Sequence, residues 1–396
     1  MAIREVKLGK VATVKGGKRL PKGINLITKP NSHPYIRVRD LNGKKTLELD
    51  GSFEFVDDET QKAISRYIVT GGDIVLSIVG TIGLVSVVGD SLNEANLTEN
   101  CVKLTSLSGI DRDYLYYYLK SSYGQQEIAR GTVGAVQAKL PIKNIQDISI
   151  PLPDEVTQRK IADILSSLDA KIEVNQRIND NLYEIVNAYY TSLFKDVECE
   201  MTTIGNYAER IYSGGTPTTS NAAYWDGTFG WFSSGETRNR FVISTEKSIT
   251  QTGIDNSSTK LASKHDIVIA SAGQGFTRGQ TSMLLIDTYV NQSVIVIHAD
   301  RNILPYLFWN LANRYEELRA ISDSSSIRGS LTTKMIAAFE IPLANNDVIQ
   351  TFSDFAWAVI PQIENNLLEN ERLAALRDSL LPKLMSGELD VSAIEL

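Results

Sequence analysis

Between residues 154 and 201 apolar positions recur at alternating steps of four and three: Ile161, Leu165, Leu168, Ile172, Asn175, Asn179, Leu182, Val186, Tyr189 and Leu193. This spacing predicts one long helix with a heptad seam and two asparagines at its centre. No Gly or Pro interrupts the segment, and Pro151-x-Pro153 stands just before it, where a helix can begin. The register returns 191 residues later as Phe352, Ala356, Val359, Ile363, Asn366, Asn370 and Leu373, then Leu376, Leu380 and Leu384. Pro361 predicts a kink or a late start in this second helix, and Pro382 with Gly387 predicts its end. A buried amide without a partner costs about 1–3 kcal/mol, so asparagines in an apolar seam need each other. Antiparallel pairing of the two helices brings Asn175, Asn179, Asn366 and Asn370 together and fixes the register. A helix of about 40 residues is about 60 Å long, so the pair is expected to act as a spacer with one module at each end.

The rest of the chain reads as strands and short helices, and it is written twice. Leu8-Gly9 answers Ile204-Gly205, Gly16-Gly17 answers Gly214-Gly215, and Tyr35-Ile36 answers Trp231-Phe232. Asp73-Ile74-Val75 recurs as Asp266-Ile267-Val268, Tyr114-Leu115 as Tyr306-Leu307, and Ile150-Pro151-Leu152 as Ile341-Pro342-Leu343. Six matches in one order mean duplication of a module, each copy followed by a long helix. Ile74 to Val79 and Leu84 to Val88 read as strands around Gly80-Thr81-Ile82-Gly83, with Ile267 to Ala270 and Val294 to Ile297 as counterparts. Asp113 to Lys120 and Pro305 to Leu311 read as short helices whose aromatic residues, Tyr114, Tyr116, Tyr117 and Tyr118 among them, belong to a core.

Composition narrows the class: 396 residues, 42% apolar and 22% charged, suit a globular chain of about two domains. No apolar run approaches the length of a membrane span, and the alternating charges of Met1 to Lys10 do not resemble a secretion signal. Two cysteines, Cys101 and Cys199, make no disulfide framework, so a cytoplasmic protein is expected. The net charge of −7 argues at first against nucleic acid. Its distribution reverses that argument. Residues 1–45 hold 12 basic and 2 acidic side chains, a net of +10, and residues 1–150 are +4. Residues 151–200 are −5, residues 201–340 are neutral, and residues 341–396 are −6, so the acidity lies on the two helices.

Catalytic signatures are missing. His33, His265 and His298 lie far apart in sequence, and none has a spacing that suits zinc. Gly16-Gly17-Lys18 lacks the remainder of a phosphate-binding loop, and neither a Gly-x-Ser-x-Gly elbow nor an amino-methyltransferase motif is present. A noncatalytic chain is expected, without metal or cofactor of its own.

Gly71-Gly72-Asp73-Ile74-Val75-Leu76-Ser77 with Gly80-Thr81-Ile82-Gly83, the passage Ile150 to Phe194 including Gln158 to Asp169, and Leu380 to Leu389 together resemble the specificity subunit of type I restriction-modification systems. The resemblance spans nearly the whole chain and departs from the usual pattern at Asn345 to Phe352, which is poor in Glu and Lys. It implies an α+β fold with two pseudo-repeated mixed-β target-recognition domains separated by two long helices that form an antiparallel coiled coil. Residues 1–153 are then the first recognition domain, 154–200 the central helix, 201–346 the second domain, and 347–396 the C-terminal helix and tail. The implied role is noncatalytic: each domain reads one half of a split, asymmetric target in double-stranded DNA. The helices set the spacing and dock two modification (methyltransferase) subunits, to which restriction (translocase and nuclease) subunits are added. S-adenosylmethionine, ATP and Mg would serve those partners.

On this reading phosphate contacts come from the basic N-terminal stretch, and base contacts from Arg, Asn and Gln on loops. The candidates are Lys15, Lys18, Arg19, Lys22, Arg37, Arg39, Asn42, Lys44 and Lys45 in the first module. In the second they are Arg238, Asn239, Arg240, Gln274, Arg278 and Arg328, the last matching Gln137 of the first copy. Loss of Arg37 or Arg238 is expected to relax one half-site by about 1–3 kcal/mol if that residue reads guanine. The alternative from another class is a noncatalytic scaffold whose modules bind protein.

Overall fold

The computed structural model describes residues 4–41, 43–134, 137–195, 197–273, 276–324 and 329–391. The chain divides into two compact units, Met1–Ile172 with Arg372–Leu396, and Glu173–Glu371.

In the first unit a five-stranded sheet runs in the order Thr13–Gly16, Cys101–Thr105, Ile74–Ser77, Val85–Val88, Thr46–Leu47. Its last pair is parallel and the others are antiparallel. The central strands are buried on both faces, which is why Ile74-Val75-Leu76 is a continuous apolar run and not an alternating one. Ile74, Leu76, Val85, Val87, Val102 and Leu104 pack on one side against the tyrosine-rich helix Arg112–Lys120 and the long helices. Val75, Val88 and Cys101 face the other side, toward a small sheet of Glu54–Phe55, Pro34–Ile36 and Asn96–Leu97. All four tyrosines from Tyr114 to Tyr118 are buried.

The second unit repeats the order strand for strand: Ala208–Ser213, Val294–Ala299, Ile267–Ala270, Thr281–Leu284, Phe241–Val242. Its small sheet has one strand more, in the order Lys247–Ile249, Trp225–Phe232, Thr288–Val290, Lys260–Ala262. The order corrects one expected match. Val294–Ala299 is the counterpart of Cys101–Thr105, and Thr281–Leu284 is the counterpart of Val85–Val88. Thr281-Ser282-Met283-Leu284 has no β-branched run to reveal it, and the loop before it is longer than in the first copy.

Each module closes on itself in the same way. Arg4–Lys7 pairs antiparallel with Ser149–Leu152, and Glu200–Thr203 pairs antiparallel with Glu340–Leu343. The Tyr114 hydroxyl donates to the Pro151 carbonyl at 2.6 Å, and the Tyr306 hydroxyl donates to the Pro342 carbonyl. Two of the matched motifs in each copy are therefore one contact. The glycine pairs have a physical reason too, since a Cβ at Gly17 would lie 2.0 Å from the Thr98 carbonyl oxygen and one at Gly214 1.9 Å from that of Val290.

The long helices are Glu155–Phe194 and Asn346–Ser386. Their pairing is antiparallel within each unit. The second helix corrects three expectations. It begins at Asn346 and not at Pro361, because Asn345 caps it by accepting from the Val348 N–H at 3.0 Å. Burial of Ile349, Phe352, Ala356, Ile360 and Ile363 offsets the hydrogen bond that Pro361 removes, a loss of about 3 kcal/mol. Pro382 lies inside the helix, and the end comes at Gly387, whose φ is 74° and whose N–H reaches the Leu384 carbonyl at 3.3 Å. Leu376 faces solvent at 47% exposure, and the facing positions near it are Leu373, Arg377 and Leu380.

Candidate nucleic-acid interface

The basic stretch of the first unit separates into cations held within the fold and cations exposed at its surface. Arg37 is spent. It stands before the short helical turn Val38–Asp40, its N–H donates to Asp40 Oδ2 at 2.7 Å, and its guanidinium reaches Asp40 and Glu54. Its side chain is only 18% exposed, so it holds the turn while the more exposed Arg39 shares Glu54 at 2.7 Å. Lys45 is spent as well. Its ammonium bonds Asp113 Oδ2 at 2.8 Å and Ser166 Oγ at 2.7 Å and lies 5.0 Å from the Tyr117 ring centroid. It ties the edge of the five-stranded sheet to the first long helix. Burial pushes the Asp113 carboxyl up, but hydrogen bonds from Arg112 and Lys45 outweigh this and hold it below its ordinary value.

Lys15, Lys18, Arg19, Lys22 and Lys44 are exposed. Arg19 pairs with Glu99 at 2.6 Å while remaining 80% exposed, so the pair costs little to open. Lys18 lies 5.6 Å from the Tyr67 ring. Lys18, Arg19 and Lys22 follow the strand Thr13–Gly16, and the Lys18 N–H donates to the Leu97 carbonyl of the small sheet at 2.8 Å. Asn42 lies outside the described residues.

In the second unit Ser233 and Glu236 repeat the geometry of Arg37 and Asp40: the Ser233 N–H donates to Glu236 Oε1 at 2.8 Å. Arg238, Asn239 and Arg240 follow and are exposed. Arg238 pairs with Glu246 and donates to the Gly235 carbonyl at 2.8 Å. Arg240 stacks over Tyr183 at 4.1 Å. Arg278 is 12% exposed and bonds the Gly329 carbonyl and Asp323, so it braces a loop. Gln274 and Arg328 lie outside the described residues. Sequence reasoning passed over exposed cations beside aromatic rings on the strands, among them Lys247 at 5.6 Å from Trp225, and Lys260 and Arg210 at 5.7 and 5.8 Å from Tyr212. Their signal was a lysine or arginine beside aromatic residues on neighbouring strands.

The asparagines meet in pairs. Asn366 Nδ2 donates to Asn179 Oδ1 at 2.8 Å, and Asn175 Nδ2 donates to Asn370 Oδ1 at 2.9 Å and to Glu369 at 2.7 Å. Asn175 is wholly buried and Asn179 and Asn366 nearly so. Because Asn366 answers Asn175 and Asn370 answers Asn179 in the repeat, the two bonds are one contact made twice about a local two-fold relation. In the first unit the seam continues with Arg377 on Asp169 at 2.6 Å, and the Tyr117 hydroxyl donates to the same carboxylate.

Among the described residues no three His, Cys, Asp or Glu side chains gather as a metal site would require, and no helix is long and apolar enough to cross a membrane.

A duplicated β module with exposed cations on its loops, each copy bound to one stretch of an antiparallel helix pair, defines a class of duplicated two-module proteins. The type I restriction modification DNA specificity domain matches residues 3–184 and again 197–369, and the chain belongs to that family. The specificity subunit of the type I restriction enzyme HindI of Haemophilus influenzae is 21% identical over 63% of this chain and 71% of that protein. The MjaIX specificity subunit of Methanocaldococcus jannaschii is 20% identical over 91% of this chain and 88% of that one. The crystal structure of a type I restriction-modification S subunit from M. genitalium has the same fold, with a TM-score of 0.58 and 17% identity over 97% of this chain and 96% of that one.

Proposed function

We propose that this chain is the DNA-reading subunit of a type I restriction-modification assembly, in which each module reads one half of a split, asymmetric target. The observation that carries this reading is the contrast between scaffold and surface in the two copies. Sheet order, closing ribbon and Tyr-to-Pro bond repeat, whereas the exposed side chains on matching loops differ, with Arg39 in one copy and Arg238, Asn239 and Arg240 in the other. Two readers of different half-sites need the same frame and different edges. The helix pair sets the gap between the half-sites and docks two modification subunits, to which restriction subunits are added. The chain acts in the cytoplasm, is noncatalytic and holds no cofactor. Methyl transfer from S-adenosylmethionine and ATP- and Mg-dependent translocation belong to the partners.

Mapping methylated adenines in DNA from cells that carry the chain with its modification subunits tests the proposal. The expected result is a two-part motif with a fixed gap, in which exchange of residues 201–346 alters one part alone. Binding to duplex DNA is expected to weaken steeply with salt, as counterion release requires. Binding without salt dependence, or methylation without a two-part motif, overturns it in favour of a protein-binding scaffold.

A further inference from the structure

The most exposed large apolar side chain among the described residues is Phe276, at 85%. It stands in the loop between the strands Ile267–Ala270 and Thr281–Leu284, where the first copy has only the short turn Gly80-Thr81-Ile82-Gly83. Its backbone is anchored. The Tyr315 hydroxyl donates to the Phe276 carbonyl at 2.8 Å, and the Gly279 N–H donates to the Ala270 carbonyl at 2.9 Å. Two residues on, the Arg278 guanidinium is consumed by the Gly329 carbonyl and Asp323. Phe276 to Gly279 tie down their backbone and their arginine while leaving a phenyl ring in water, and so offer one apolar contact at a set place.

We propose that Phe276 is a specificity-determining residue of the second module, packing on the 5-methyl group of a thymine in the major groove, and that Arg278 positions it. This rests on the DNA-reading function proposed above. Thymine's methyl is the apolar feature of the major-groove code, and it complements a loop whose arginine is already committed elsewhere. The first copy has no equivalent ring, so the contact belongs to one half-site only.

The test uses the full-length chain assembled with its modification subunits. Selection from a pool of randomised duplexes first defines the two half-sites, and each thymine is then replaced by deoxyuracil, which lacks only the methyl. Phe276 is exposed, so Phe276→Ala leaves the fold intact, and Phe276→Leu keeps an apolar contact. One uracil in one half-site is expected to weaken the wild type about four-fold, the effect of one buried methyl. Phe276→Ala weakens binding to the thymine site equally and is indifferent to that uracil, and Phe276→Leu falls between. Arg278→Lys, which disturbs the loop, diminishes the same discrimination and no other. A Phe276→Ala variant that keeps every uracil effect, or a second half-site with no thymine, overturns the assignment. Failure of the wild type to select any two-part motif overturns the underlying function instead, whatever Phe276 does.

Discussion

The contact between Asn179 and Asn366 makes a quantitative demand on the helix pair. Both side chains are nearly buried, at 9% and 6% exposure, and the Asn366 amide donates to Asn179 at 2.8 Å. Asn366→Leu leaves the Asn179 oxygen buried without that donor, and Asn179→Leu leaves the Asn366 amide without its acceptor. Each single change is expected to cost about 1–3 kcal/mol. With a urea m-value of about 2 kcal/mol per molar, a 2 kcal/mol loss lowers the unfolding midpoint by roughly 1 M. The double variant removes both polar groups together and sets two leucines against each other, so it is expected to unfold near the wild-type midpoint or above it. The coupling between the two sites is then about 2 kcal/mol or more, with the sign of mutual rescue. Urea titrations of the four chains, followed by circular dichroism at the helix band, measure it. A double variant as unstable as the sum of the singles refutes the reasoning, because it means the other bonds of these amides, Asn179 to the Ile363 carbonyl and Gln362 to Asn366, carry the stability and not their mutual contact.

Three further outcomes follow from the geometry. Tyr114→Phe and Tyr306→Phe each lose the bond that closes a module on its own Pro carbonyl and are expected to lower stability by about 1 kcal/mol, read from the same titration. The Cys101 thiol is wholly buried and pushed up to about 12, by burial first and then by Asp40 and Glu99. Ellman's reagent at pH 8 is therefore expected to leave it unmodified until denaturant is added, and rapid labelling of both cysteines in the native chain contradicts its placement. Asp113 is held below its ordinary value, so the folded carboxyl binds protons less readily than the unfolded one. Its contribution is complete above about pH 4 and lost as pH falls through the folded value, and Lys45→Met is expected to flatten this acid limb of the stability curve.

Much of this architecture was legible in the sequence, for reasons that also explain what was not. The helix pair and its asparagine positions are periodic, and periodicity survives without tertiary information. The duplication was visible because Gly16-Gly17, Ile150-Pro151-Leu152 and the Asp73 run answer backbone requirements that both copies share. The errors fall where tertiary contacts decide. Pro361 and Pro382 sit inside a helix because buried neighbours outweigh their cost. The ion pairs of Arg37 and Lys45, two of the DNA-binding candidates, were not legible either, because the fold brings Glu54 and Asp113 to them from 17 and 68 residues away. Arg377 was passed over for Leu376 in the seam because an ion pair with Asp169 fills a place that apolar spacing assigns to leucine. Phe276 carried no periodic signal, and only its exposure singles it out.

The doubled asparagine contact also bears on self-association. Asn370 is the repeat of Asn179, so the first helices of two molecules, laid antiparallel, would set Asn175 against Asn179, but with Ile178 in the place from which Glu369 accepts a bond from Asn175. The amide-to-amide bond cannot by itself tell its own partner from a neighbour's, but its surroundings can. Covalent continuity gives the intramolecular helix a high effective concentration. Arg377 occupies the position that Val186 holds in the first helix, so a swapped pair of first helices strands Asp169 without its cation. Arg377 and Glu369 thus mark the correct partner in a seam whose asparagines are self-complementary, and removal of both would expose the chain to swapped dimers at high concentration.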